Sequence, residues 1–174
     1  QYDKAIANTQ EAMKSGATSK DYELLYRVYA IKGDCGNALQ NLDKSLGGRP
    51  ADEKGLKLRN ACYFKAKDDA KRVVVVQELV KRFPNKEYFT ALTDLYRGQK
   101  VDDRAMLNIY RYGFEKDLLE RDADYVAYAD QALNAGGENE ALKALEKGVA
   151  KKLIKTDDQN NRTVRLLNST KTMA

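Results

Sequence analysis

The chain has 174 residues, about one domain's worth, of which 43% are apolar and 33% charged, with two prolines and eleven glycines. That composition excludes collagen-like and Pro/Gly-rich disordered chains, and no apolar run approaches the ~20 residues that span a bilayer. Histidine is absent and the net charge is +5, so Ser-His-Asp and Cys-His nucleophile pairs and nearly all zinc sites are excluded.

Gln1 opens directly into helical sequence without an initiator Met or signal peptide, so the chain is read as processed or as part of a longer one. Helical spacing of apolar residues, punctuated by small or acidic turns, predicts helices over 2–15, 20–32, 37–46, 52–66, 69–83, 86–98, 102–114, 122–135 and 138–150, and a weakly patterned one over 160–169. The Val73–Val76 run has β propensity, but it lies inside the unbroken stretch from Asp69 to Phe83 and reads as a buried helix. Pro50 and Pro84 fall just beyond helix ends, where proline stops a helix at little cost.

The turns repeat. Ala5, Ala38, Ala105 and Ala141 each follow a short turn that is often acidic, at gaps of 33, 67 and 36 residues. The period is therefore close to 34, with the skipped unit around Lys67-Asp68-Asp69-Ala70. Each unit reads as two helices, and the first unit begins at its second helix. Entered this way, the array is expected to leave Ala5, Ile6 and Met13 without a covering helix. Contact between the positive and negative charge blocks of two copies would then give head-to-tail self-association. Those blocks carry +1 over residues 1–50, +5 over 51–100, −5 over 101–150 and +4 over 151–174.

The pattern resembles the tetratricopeptide repeat (TPR) superfamily. In the second unit the matching residues are Tyr22, Leu25, Tyr26, Tyr29, Gly33-Asp34, Ala38, Leu42, Ser45 and Pro50. In the last they are Tyr125, Tyr128, Ala129, Gly136, Ala141, Leu145 and Gly148. The resemblance spans residues 2–150. It implies an all-α fold, a right-handed superhelix of about four and a half helix-turn-helix units over residues 1–155, with a short basic segment at 156–174. The third unit departs from the pattern, with Arg59, Asn60 and Arg72 where apolar or small residues are usual. The stretch Lys81–Phe89, with Asn108–Arg111 and Asp124–Ala129, resembles a subfamily of exported bacterial repeat proteins. That implies a periplasmic or extracellular location, a cytoplasmic one being the alternative.

The resemblance places the first helix of each unit on a concave, partner-binding face. On that face fall Lys20, Glu23, Arg27, Ala30 and Ile31, then Lys54, Lys57, Ala61, Phe64 and Lys65. Lys20, Arg27, Lys54, Lys57, Phe64 and Lys65 are the candidate groove, suited to an acidic protein or peptide. The carboxylate clamp of chaperone-tail-binding members is not expected, because Glu23 and Ala61 occupy two of its positions. A structural subunit of an assembly is the alternative function. Nucleic-acid binding through 51–100 is disfavoured by the −5 block and by tyrosines that keep the helical period of a core. No phosphate-binding Gly-rich loop or calcium loop occurs, so no catalytic, cofactor or metal site is expected. Cys35 starts one unit's second helix and Cys62 lies near the end of the next unit's first. Neighbouring antiparallel helices bring them close, giving a disulfide in an exported protein and two buried thiols in a cytosolic one.

Overall fold

The computed structural model describes residues 1–158 and 161–174, and among these it contains ten α-helices and no strand. They are α1 (Tyr2–Met13), α2 (Ser19–Ile31), α3 (Cys35–Leu46), α4 (Glu53–Lys65), α5 (Asp69–Arg82), α6 (Lys86–Gln99), α7 (Asp103–Glu115), α8 (Asp122–Asn134), α9 (Glu138–Ala150) and α10 (Arg162–Met173). Most begin at a side chain that accepts one of the orphan first-turn N–H groups. Thr18, Asp34, Asp52, Asp68, Asn85 and Asp102 cap α2 to α7 in turn. The valine run lies within α5, with Val75 and Val76 buried.

One turn geometry recurs within the helical hairpins. The backbone N–H groups of Asp34, Asp68, Val101 and Gly137 donate to the carbonyls of Tyr29, Tyr63, Tyr96 and Ala132, five residues back in each case. The residue before each donor (Gly33, Lys67, Lys100 and Gly136) has φ between 51° and 76°. This is the left-handed helix terminator. Two hairpins meet its demand with glycine, and two impose it on lysine.

Contacts divide the chain into two compact units, Gln1–Phe83 and Pro84–Ala174. In the first, α1 packs on α2, and α2–α3 and α4–α5 form hairpins. Ile6 is buried with Leu25 and Val28, and Met13 and Tyr29 pack against them. The expectation that Ile6 and Met13 lack cover is thus corrected: α2 supplies it. A disulfide between Cys35 and Cys62, with Cα atoms 5.4 Å apart, ties α3 to α4, within the span a disulfide bridges. The polar residues of the irregular third unit work as a set. Arg72 donates to Asn60 and to Asp69, its guanidinium lies 4.8 Å from the centroid of the Phe64 ring, and Arg59 pairs with Asp43 on α3.

In the second unit, α6–α7 and α8–α9 form hairpins and α10 packs on α9. The core gathers Phe89, Tyr110, Tyr125 and Tyr128 with Leu119 and Leu145. Tyr110 stacks on Tyr128 and meets Phe89 edge-on. Gly113 lets α7 approach: a Cβ there would stand 2.2 Å from the Phe89 ring. Of the expected helix over 160–169, residue 160 lies outside the described residues. The helix runs on to Met173 because Thr170 is buried, its hydroxyl bonded back to the Leu166 carbonyl.

Candidate partner-binding face

In the first unit, α2 and α4 run parallel in one layer. The cleft at one end takes Ser19, Glu23 and Tyr26 from α2 and Asp52 from the start of α4. At the other end the Lys65 ammonium donates to the Gly33 carbonyl at 2.8 Å, joining the end of α4 to the turn after α2. Behind both lies α3, held to α4 by the disulfide, by Asp43–Arg59 and by the contact of Leu42 with the Gly55 position.

Each of the two helices shows solvent a stripe at helical spacing. On α2 it is Lys20, Leu24, Arg27 and Ile31, and on α4 it is Lys54, Lys57, Ala61 and Phe64, all exposed. These positions fall about one repeat apart in the sequence. Five of the six expected groove residues (Lys20, Arg27, Lys54, Lys57 and Phe64) are exposed on α2 and α4.

Their states differ. Among the described residues, the side chains of Lys20, Lys54 and Lys57 make no hydrogen bond or ion pair. Arg27 pairs with Glu23 one turn back, and the Tyr26 hydroxyl, then Glu23, hold its guanidinium more firmly protonated than usual. Lys65, the sixth residue, is an exposed strap between hairpins, its ammonium committed to Gly33. Phe64 is 65% exposed, Ile31 63% and Leu24 48%. Sequence reasoning passed over Leu24. In the Leu24-Leu25 pair a single side chain can face the core, and Leu25, at 3% exposure, is that one.

The second unit contains an ionic site that the sequence did not announce. Asp124, at the start of α8, is completely buried, and its carboxylate accepts from Arg121 at 2.8 Å and Arg97 at 3.3 Å. Arg97 also donates to the Tyr110 hydroxyl at 2.6 Å, and Asp94 bridges to both arginines. Two acids and two arginines thus close a neutral ring around one buried carboxylate. Nearby, Arg111 grips Glu140 through two bonds of 2.7 Å, and Glu140 accepts from the Tyr128 hydroxyl at 2.6 Å. Arg111 holds the Glu140 carboxyl below its ordinary range, and burial pushes the Tyr128 hydroxyl well above its own. A cleft of about 490 Å³ opens beside Lys86, Arg121 and Lys151. Its cations are engaged by Glu120, by Asp94 and Asp124, and by Asp117 respectively.

Asp102 caps α7, and Asp124 belongs to the arginine ring. Among the described residues no group of three or more His, Cys, Asp or Glu side chains gathers as a metal requires. No described helix is long and apolar enough to cross a membrane.

Helical hairpins with a 34-residue rhythm, a shared left-handed turn and small residues where helices meet define a TPR-like all-helical fold. Among solved structures, one described as the crystal structure of MamA is similar to this chain, with a TM-score of 0.50 and 15% sequence identity over 87% of this chain and 88% of that one. That likeness shows the fold alone. No family model and no curated protein matches the sequence.

Proposed function

We propose that this chain is a non-catalytic protein-binding scaffold that presents the joined face of α2 and α4 to an acidic partner. The carrying observation is the pair of exposed stripes. They carry three lysines whose side chains make no ion pair and three large exposed apolar side chains, Leu24, Ile31 and Phe64, which supports this reading. Large apolar side chains clustered on a surface mark contact sites, and surrounding charges steer the partner and set its rate of arrival. The TPR-like fold supports the same reading, since such repeats serve as scaffolds, while fold by itself names no partner. The Cys35–Cys62 disulfide supports an oxidising location, periplasmic or extracellular.

The test is crosslinking with mass spectrometry on native material, using a lysine-reactive reagent. Partner crosslinks at Lys20, Lys54 and Lys57 are expected. A partner whose crosslinks all fall within residues 84–174 overturns this assignment of the face.

A further inference from the structure

A cleft of about 180 Å³ opens in the second unit between the start of α7 and the end of α8. These consecutive helices pack on each other antiparallel, which sets the two ends side by side. Asp103, Arg104 and Leu107 line the cleft from α7, and Gln131, Asn134 and Ala135 line it from the end of α8. Leu107 is buried and gives the space an apolar wall. The volume is below the ~300 Å³ at which pockets for drug-sized molecules begin, so its ligand is small.

One hydrogen-bonding atom of the lining is left over. The Gln131 Oε1 atom is sealed from solvent, and among the described residues no donor reaches it. The amide nitrogen of the same side chain donates to Asp103 across a long 3.5 Å. Exchanging the two amide atoms repairs nothing, because the oxygen would then face the Asp103 carboxylate. A buried acceptor without a donor is costly, so turning this oxygen toward an N–H group that enters the cleft loses little and gains a bond. Asp102 is spent as the cap of α7. The Asp103 carboxylate has only the long contact to Gln131, and the side chains of Arg104 and Asn134 make no hydrogen bond or ion pair among the described residues. Asp103 and Arg104 are neighbours in the chain, yet they do not pair. One negative and one positive charge therefore stand beside the same small space.

We propose that this cleft binds a free aliphatic α-amino acid as its zwitterion. The ligand's ammonium meets Asp103 and the turned-out Gln131 oxygen, its carboxylate meets Arg104, and its side chain lies on Leu107 and Ala135. Cleft and ligand each carry one charge of either sign, so the complex leaves no charge unpaired. An amine alone would set its ammonium beside an unanswered Arg104. A carboxylic acid alone would bring the orphan oxygen only further acceptors. A peptide holds its ammonium and its carboxylate at opposite ends of its chain, and the adjacent Asp103 and Arg104 are too close to take both. All of these residues belong to the second unit and none to the stripes of α2 and α4, so this inference and the partner-binding reading stand or fall separately.

The experiment is isothermal titration calorimetry on the whole chain, disulfide intact, with L-leucine as the probe. Leucine is expected to bind at least tenfold tighter than isoamylamine, which lacks its carboxylate, and than isocaproate, which lacks its ammonium. Asp103→Asn and Arg104→Gln should each weaken leucine at least tenfold. Gln131→Met keeps the length of the side chain and removes the orphan acceptor. It should weaken leucine about fivefold, the worth of one hydrogen bond, without lowering the melting temperature, a result that a merely structural role would not give. Lys54→Glu with Lys57→Glu, in the first unit, should leave leucine binding unchanged. Asp103 and Arg104 are exposed and Gln131 is half-buried, and circular dichroism confirms the fold of each variant. A titration without saturable heat up to about 10 mM leucine overturns the inference. So does leucine binding that the Asp103, Arg104 and Gln131 variants all leave intact, or an amine or acid analogue that binds as tightly as leucine.

Discussion

The two units of this chain use charge in opposite ways. Residues 1–83 carry 16 basic and 11 acidic residues, while residues 84–174 carry 15 of each, so the whole net charge of +5 belongs to the first unit. In the second unit, arginines and acids are turned on one another. Arg97 and Arg121 enclose buried Asp124, Arg111 grips Glu140, and Lys147 and Lys151 share Asp117. The first unit has no buried ionic site, and it fastens α3 to α4 covalently. A covalent tie asks nothing of the surface. The charges of α2 and α4 are then free to face solvent, and there Lys20, Lys54 and Lys57 lie.

The largest effect should come from cutting that tie. Cys35→Ser with Cys62→Ser is expected to lower stability by on the order of 3–4 kcal/mol, since the bond closes a loop across a sequence separation of 27. Thermal unfolding followed by circular dichroism, with and without a reductant, checks it. The variant without reductant and the wild type with it should agree. If the wild type is indifferent to reductant, the disulfide is not the fastening of the first unit.

The counterpart in the second unit is Asp124→Ala. It leaves Arg97 and Arg121 facing each other beside Tyr110 and removes a bond to the Arg121 backbone N–H. Breaking a buried pair from one side costs about 3–5 kcal/mol, and the half-exposed arginines place this case at about 3. Asp43→Ala, which removes an exposed partner of Arg59 in the first unit, is expected to cost less than ~1 kcal/mol. Equal losses from the two variants, measured by urea denaturation, would erase the contrast between the units.

The sequence showed the helices and the repeat because both are written in local pattern, and the ten described helices stand close to their expected places. The resemblance assigned Lys20, Arg27, Lys54, Lys57 and Phe64 to one face, and each of them is exposed on α2 or α4. It could not show what each side chain does there. Lys65 has the same pattern position as its neighbours, yet it reaches Gly33, 32 residues back, a contact that only the stacking of hairpins creates. The Asp124 ring escaped for the same reason. Its members come from α6, α7 and α8, and Asp124 by itself is indistinguishable from an ordinary first-turn acid such as Asp122. The third unit departs from the repeat pattern at Asn60 and Arg72 together. In the fold they answer each other.

A smaller effect, of opposite sign, probes the turns common to both units. Lys67 and Lys100 hold left-handed conformations, at φ of 55° and 51°, where the equivalent positions elsewhere are Gly33 and Gly136. That region costs a residue with a Cβ about 1–2 kcal/mol, part of which glycine loses again to its greater freedom when unfolded. Lys67→Gly and Lys100→Gly should each stabilise by about 0.5–1 kcal/mol, and Gly33→Lys should destabilise by a similar amount. A loss of stability in both lysine variants would mean that the side chains, not the turn, govern these positions.

The smallest effect tests whether ion pairs in the second unit act as fastenings at all. Lys147 and Lys151 sit 2.8 and 2.6 Å from Asp117, and their hydrogen bonds hold its carboxyl down at about 2. The folded chain therefore binds this proton less readily than the unfolded one, where an aspartate titrates near its ordinary ~3.9. Stability gained from the contact is fully present above about pH 4 and is lost as pH falls through about 2. The carboxylate is 56% exposed, so water screens the attraction and its worth is below ~1 kcal/mol. Asp117→Asn should accordingly melt slightly below the wild type at pH 6, and the gap should narrow as pH falls to 2 and again in 1 M salt. A gap unchanged by both treatments would assign the loss to something other than charge. Asp117 itself sits at φ 57° in the turn after α7, and asparagine tolerates that conformation comparably, so the substitution leaves the backbone term unchanged.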